Sequence, residues 1–474
     1  MSGGWTKVTV HGIKRWVIIF SEQSLAFPLV GSPLDFKGLV ASLRELMQRF
    51  PDKRTGKNCV YAMEDAALAA FAVFTMQSPS FLAYQRTMKQ TKGQSNAHTL
   101  FGMNLIPTDN CIRNLLDPVA PSHVTPLFEQ TFEALNAGGH IDPFRVSLSS
   151  SQNDAGQLLI ALDGTSYHHS HTVHCRQCTK IEHRKGEVSY QHTVVTPVVV
   201  SPERNQVIAL APEFVTPQDG HDKQDCETAA AKRWLTAHGA RIKALNATIL
   251  GDDLYSRQPM CETVLGLGLH FLFVCKPSSH VTLTESIKDL TAQGAIQTHQ
   301  VLRRKGKKAW TDTYRFVNHV PLREGDDALA VNWLELTTQD AAGKQTYQNA
   351  WITQHALDKA HVAKVAEAGR ARWRIENGNN NVLKTKGYHL EHNFGHGKKY
   401  LSSLLCTFNL LAFLLHTFQE ITNQKYRVLR ATLPTRKSFF DSIRALTTFM
   451  CFDSFEALLD FMLRGLDIDA PDSS

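Results

Sequence analysis

The sequence predicts an α/β fold: a mixed-sheet core, a β-rich insertion within it, and helical regions at both ends. Three observations carry that expectation. A short, continuous apolar run, Leu158 to Leu162, and a second segment, Ala247 to Leu250, read as buried strands; the first leads into Asp163 and the second through Gly251 into Asp252. A polar, alternating stretch from Ile296 to His355 interrupts the strand–helix pattern. Apolar residues recur at helical spacing before residue 150 and again after Asp358.

Residues 1–150 read as a helical region. Phe36 to Phe50 and Tyr61 to Met76 carry apolar residues at helical spacing, and Ser80 and Thr108 look like N-caps of the short helices that follow. Ile112, Leu115 and Leu116 form one apolar face. With Arg86, Lys89, Lys92 and Arg113 available, this region could be a DNA-binding head, or equally a helical dimerisation or packing domain. Residues 151–295 begin the α/β core. After the first strand, Val188 to Ser201 and Val207 to Val215 are β-rich, Asp225 to Ala237 suits a helix, and Gln258 to Leu265 is a helix before the strand Phe271 to Val274. The β-rich insertion spans 296–356, where Tyr314 and Phe316 alternate with Arg315; it need not be a separate domain. Residues 357–420 complete the core with helix, and 421–474 form a helical C-terminal region.

Composition bounds the partners. With 474 residues, 43% hydrophobic and 20% charged, the chain can bury a sizeable core and reads as a soluble globular protein. The apolar stretch Leu401 to Phe418 is broken by Ser402, Ser403, Thr407, Asn409, His416 and Thr417, so no membrane span is expected. Lys7, Lys14 and Arg15 flank only a short apolar run, Trp16 to Phe20, which does not make a secretory signal. A cytoplasmic protein follows as the expectation. Its nine cysteines are scattered except for Cys175 and Cys178, which points to free thiols and one metal knuckle rather than disulfides. A net charge of +7 permits approach to polyanions. Basic residues gather at Arg303, Arg304, Lys305, Lys307 and Lys308 near Trp310 and Tyr314, and at Lys384, Lys386, Lys398 and Lys399 near Tyr388, His389 and His392. Each group could be a phosphate-binding patch with interleaved rings or a solvated loop.

The acids carry the chemistry. Asp163 and Asp252 follow separate buried strands, and a buried sheet tolerates charge only where its edge opens into a site. If those strands are neighbours, the two carboxylates can share a hard cation such as Mg²⁺, with Mn²⁺ as the alternative. A third acid is needed to hold two ions around one phosphate, and Glu376 is the best candidate. On a helix, Arg372 lies one turn before it and Lys384 roughly 80° round from it. The same spacing also makes an ordinary ion pair on a solvated helix, and Glu391 stands as the reserve acid. Gly378 and the asparagine run beside it are poor helix formers and place a kink or a helix start near Glu376.

A second constellation lies between the first two acids. Cys175 and Cys178, followed by His183 and His192, offer four ligands suited to a structural Zn²⁺, amid His168, His169, His171 and His174. The alternative is a two-cysteine turn with histidines facing DNA or solvent. A catalytic zinc here would need an open position and a base such as Glu182 or Glu187.

These segments resemble the DDE transposases of bacterial insertion sequences over roughly residues 60 to 420. The specific text is Leu162-Asp163-Gly164-Thr165, Gly251-Asp252-Asp253-Leu254-Tyr255, Arg372-Trp373-Arg374-Ile375-Glu376, and Tyr388 through Gly397. Family members often carry an aromatic three residues after the second acid, which Asp252 and Tyr255 match and which disfavours Asp253. They also carry a Tyr-x2-Arg-x3-Glu-x6-Lys pattern. Arg372 and Glu376 fit it, whereas position 369 is glycine and Lys384 comes one residue late. The resemblance implies a ribonuclease-H-like fold with a β insertion before the last acid, and a nuclease and strand transferase using Asp163, Asp252 and Glu376 with two Mg²⁺. It further implies double-stranded DNA as partner, a homodimer on paired DNA ends, a place at the bacterial nucleoid, and Arg372, Lys384 and Lys398 on backbone phosphates. Trp373 reads either as a base-stacking ring or as a core side chain. Two other classes stay open: a non-catalytic DNA-binding descendant of a transposase, and a zinc metallohydrolase centred on the histidines.

Overall fold

The computed structural model describes residues 4–10, 13–19, 35–56, 59–148, 156–217, 225–306 and 308–469. It opens on an antiparallel pair, β1 (Gly4–Val10) and β2 (Ile13–Ile19), in register from Gly4 opposite Ile19 to Val10 opposite Ile13. The first 150 residues are therefore not all helical, because β-branched Thr, Val and Ile in these two runs favour extended backbone. Helices follow: α1 (Phe36–Met47), α2 (Met63–Thr75), α3 (Phe81–Met88), α4 (Thr91–Phe101), α5 (Asp109–Leu116) and α6 (Thr125–Ala137). Ser80 and Thr108 cap α3 and α5 as expected, accepting from the backbone N–H groups of Ala83 and Cys111.

The core strands are β3 (Leu158–Ala161), β4 (Gly164–Ser170), β5 (Thr179–Glu182), β6 (Val188–Val195), β7 (Val198–Val200), β8 (Ile208–Ala209) and β9 (Glu213–Val215). Then come α7 (Glu227–Ala244), β10 (Ala247–Gly251), α8 (Gln258–Gly266), β11 (His270–Val274) and α9 (Val281–Ala292). The insertion supplies β12 (Gln297–Lys305), β13 (Lys308–Pro321), β14 (Ala330–Asp340) and β15 (Gln345–Thr353). Nine strands join in the order β12-β13-β14-β15-β11-β10-β3-β7-β8. The centre, β3, β10 and β11, is parallel, and β15, β7 and their outer neighbours run antiparallel. This is the mixed sheet that the apolar runs anticipated.

The insertion is not a separate layer. β15 pairs with the open edge of β11, Phe273 opposite Ile352, so Trp351, Ile352 and Leu334 are buried with the central strands. Arg304, Lys305 and Lys308, at the paired ends of β12 and β13, are exposed, Arg303 is taken up by the carboxylate of buried Asp312, and Lys307 lies outside the described residues.

The C-terminal part contains α10 (Val362–Arg370), a π-helical turn at Ile375–Asn380, α11 (Asn381–Thr385), α12 (Leu401–Thr422), α13 (Gln424–Thr432), α14 (Arg436–Phe449) and α15 (Phe455–Gly465). α12 is long and apolar enough to cross a membrane, yet 94% of its most apolar window is buried inside the protein, which accounts for its hydropathy without a bilayer. Its packing partner α2 is alanine-rich, so the two axes approach closely. The polar residues that interrupt α12 bond internally: Asn409 donates to the Tyr388 carbonyl (2.8 Å), and His416 sits between the Tyr388 hydroxyl (2.7 Å) and the Thr75 carbonyl (3.0 Å). Tyr388 is thus a core residue, not a ring facing DNA. Phe36 stacks on Phe455 at 4.4 Å and Asn96 donates to the carbonyls of Thr447 and Met450, so the helices of the two ends pack together around α12.

Candidate functional site

Asp163 lies where the chain leaves the large sheet. β3 ends at Ala161 and the next strand, β4, starts at Gly164 in a four-stranded sheet with β6, β5 and β9. The Asp-Gly-Thr text is therefore a crossing between two sheets, not a turn, and the Asp163 carbonyl accepts the backbone N–H of Thr196 (2.9 Å) as the hairpin returns. Asp252 follows β10, the parallel neighbour of β3, so both acids stand at the same end of the central strands. Asp252 is half-buried and accepts from the Leu254 N–H at 2.8 Å. Asp253 is spent on structure instead, accepting from Lys276 N–H (2.7 Å) and from the Ser279 hydroxyl.

Glu376 sits in the π-helical turn. Such turns concentrate at functional sites because one extra residue re-aims the side chains around it. Glycine and asparagine at positions 377–381 are the local cause, matching the expected kink. Glu376 is exposed and accepts from Arg372 at 2.6 Å. The turn also brings Asn380 to Asp163, its side-chain amide donating to Asp163 Oδ2 at 2.7 Å. Position 369 is glycine for a visible reason: a Cβ there would stand 2.7 Å from Trp351 Nε1, so no tyrosine fits.

One acid escaped the sequence reading. Glu227, in the first turn of α7, accepts from the Gly164 N–H (3.0 Å) and from the buried Tyr255 hydroxyl (2.8 Å). Its carboxylate packs so closely that a Cβ at position 164 would lie 2.2 Å from Oε2. A glycine after Asp163 and an aromatic three residues after Asp252 were the available signals, and both point at this carboxylate. Burial, with the charge of Glu227 next, pushes the Asp163 carboxyl up to about 7; Asp252 and Glu376 add to the rise and Arg372 opposes it. Burial also raises Glu227, partly offset by its two hydrogen bonds. The four acids thus share one field with one arginine set against it. Among the described residues, Asp163, Asp252 and Glu376 do not draw their oxygens into a closed ligand sphere.

Of the expected DNA contacts, Lys384 pairs with Glu391 (2.8 Å), which occupies the reserve acid as well. Lys398 is exposed beside the N-terminus of α12, its backbone N–H bound to Asp117 (3.0 Å). Trp373 is 47% exposed, with the Arg374 guanidinium 5.0 Å from its ring, so it is not a core side chain.

The cysteine knuckle closes on a different set from the expected one. Cys175, Cys178, His192 and His396 bring one ligand atom each to within 4.8 Å of one another, a group that could hold a metal ion. His183 is not among them: it is exposed and bonds the Ser189 hydroxyl at 2.8 Å. β5 carries the chain away from the knuckle before His183, whereas β6 returns His192 beneath it. The sulfurs stand 3.9 Å apart, Cys178 Sγ is 3.3 Å from His192 Nε2 and 3.5 Å from His396 Nε2, and the two Nε2 atoms are 3.1 Å apart. Backbone N–H groups of Gln177 and Cys178's partner Cys175 point at the sulfurs at 3.4 Å. The hydrogen bond from Cys178, then those of His192 and His396, holds the Cys175 thiol far below its usual range. His396 Nδ1 bonds the Gly397 carbonyl (3.0 Å), leaving Nε2 free to ligate. Neither a protein-family model nor a curated protein matches the chain.

Proposed function

We propose that this chain is a DDE-type DNA transposase with a ribonuclease-H-like core, hydrolysing phosphodiesters at transposon ends and joining the freed ends to target DNA. The observation that carries the reading is the field around Asp163: Asp252 from the neighbouring parallel strand, Glu376 and Glu227 all bear on one half-buried carboxylate. Carboxylates gathered around Asp163 at the open end of a sheet favour a divalent oxygen-seeking cation, because their charge raises the proton affinity of Asp163 and a metal can take the place of that proton. Asp163, Asp252 and Glu376 would hold Mg²⁺ or Mn²⁺, which supplies Lewis acidity at the scissile phosphate and at the attacking and leaving oxygens. Asn380 orients the first carboxylate, and Glu227 keeps the sheet crossing and the Tyr255 turn together. Arg372, which pairs with Glu376, would take a phosphate oxygen of double-stranded DNA, with the adjacent exposed Trp373 and the exposed Lys398 as further contacts.

The Cys₂His₂ set is read as a structural Zn²⁺ site. Four protein ligands leave no open position, and Glu182 is paired to Lys180 at 2.6 Å, so a zinc hydrolase centred here is the weaker reading. A nicking assay on element-end DNA with Mg²⁺ tests the proposal. Wild type cleaves and Asp163→Ala does not; equal cleavage by both would sink the assignment, and no cleavage by wild type would favour a non-catalytic DNA-binding descendant.

A further inference from the structure

The Cys₂His₂ group joins parts of the chain that are far apart in sequence. Cys175, Cys178 and His192 belong to the β4–β6 hairpin and the loop it carries, whereas His396 lies 204 residues beyond His192, just ahead of α12. The segment that carries His396 is anchored to the helices, since the Asp117 carboxylate accepts the backbone N–H groups of Lys398, Lys399 and Leu401 (3.0, 3.0 and 3.3 Å). A metal here therefore ties the hairpin to the helices packed around α12.

The spacing suits tetrahedral zinc. Zn–S bonds of about 2.3 Å and Zn–N bonds of about 2.05 Å put two sulfurs about 3.8 Å apart, sulfur and nitrogen about 3.6 Å, and two nitrogens about 3.3 Å. The corresponding distances are 3.9 Å between the sulfurs, 3.3 to 3.5 Å for the Cys175–His192, Cys178–His192 and Cys178–His396 pairs, and 3.1 Å between the nitrogens, with all four atoms within 4.8 Å of one another. The outer shell is also built: N–H groups on the sulfurs, a carbonyl on His396 Nδ1, and the Tyr167 ring stacked on His192 at 5.4 Å.

The same hairpin is rooted in the acid site. β4 begins one residue after Asp163, and β6 is followed by Thr196, which donates to Asn380 Oδ1 (3.2 Å) while Asn380 donates to Asp163. The segment from Glu376 to His396 thus meets the hairpin twice, at Asn380 beside the acids and at His396 through the metal ligands. We infer that zinc on Cys175, Cys178, His192 and His396 is a clasp that holds Asp163 and the Glu376 turn in one frame, so that the acid site binds its divalent cation only when the clasp is closed. This rests on the readings of the Cys₂His₂ group as a zinc site and of the acids as a cation site. A ligand set this closed is disassembled by removing the metal, and order is lost first where the clasp was the tie.

The test uses full-length protein purified with zinc. Metal analysis, hydrogen–deuterium exchange and Mn²⁺ titration are run on wild type, on wild type stripped with a zinc chelator and then reloaded, and on His396→Ala, His396→Cys and His183→Ala. Wild type, His396→Cys and His183→Ala are expected to hold one zinc per chain, and His396→Ala to lose it. Zinc loss raises amide exchange across 164–195 and 375–400 about tenfold, and weakens Mn²⁺ binding about 10- to 100-fold; reloading reverses both. Because stripping and reloading act on the wild-type chain, a misfolded His396→Ala would not decide the matter. Zinc absent from wild type overturns the clasp together with the zinc reading, and zinc-loaded wild type that binds no Mn²⁺ overturns it together with the cation-site reading. Zinc-free protein with wild-type exchange and wild-type Mn²⁺ affinity overturns the clasp alone.

Discussion

Asn380 donates its side-chain amide to Asp163 Oδ2 at 2.7 Å across 217 residues of sequence. Its own carbonyl oxygen is held by Asn379 (2.9 Å) and Thr196 (3.2 Å), so the amide cannot turn away from the carboxylate. Asn380→Ala is expected to free that oxygen and weaken Mn²⁺ binding at the acids about 10- to 100-fold. Calorimetric titration reads this directly, and an unchanged affinity would remove Asn380 from any positioning role.

Asp163 makes stability depend on pH. Its carboxyl titrates at about 7 in the fold against an ordinary 3.8, so between those values the folded chain holds a proton that the unfolded chain has lost. Stability from this group is full below about pH 4 and falls as pH rises towards 7, levelling off above it. Asp163→Asn removes the penalty and leaves an acceptor for Asn380. In buffer without added divalent cation, its melting temperature should match wild type near pH 4 and exceed it by about 2 °C at pH 8. A gap that is constant with pH would show that Asp163 is not the titrating group.

Gly164 and Glu227 can be separated by substitution. Gly164→Ala forces a methyl against the Glu227 carboxylate and should cost about 1–3 kcal/mol in urea denaturation. Glu227→Gln keeps an acceptor for Gly164 and Tyr255 but removes the largest charge raising Asp163. Stability should then stay near wild type while the pH midpoint of Mn²⁺ binding moves lower; a midpoint that stays put would mean that the Glu227 charge does not set it.

Neighbouring aspartates should behave in opposite ways. Asp253→Asn weakens the caps on Lys276 and Ser279 and is expected to destabilise the fold by about 1–2 kcal/mol with nicking retained. Asp252→Asn keeps its acceptor for Leu254 and its stability but loses about 100-fold or more of Mg²⁺-dependent nicking. Thermal melts paired with nicking rates separate them, and the reverse pattern would transfer the site role to Asp253.

The sequence by itself determined the strand runs that lead to Asp163 and Asp252, the caps Ser80 and Thr108, the β character of 297–353, and the kink beside Glu376. Each follows from local rules: apolar runs, hydroxyl caps, alternation, poor helix formers. What only the tertiary structure decided is what depends on distant chain segments meeting. β15 extends the sheet because β11 offers an open edge, and Glu227 reaches Gly164 because α7 folds back over the crossing. His396 rather than His183 completes the group that could hold a metal ion because strand direction, not sequence spacing, sets which imidazole returns to the cysteines. Ligand sets and acid clusters are fixed by distance in space, and residue spacing reports that distance only within one element or one turn.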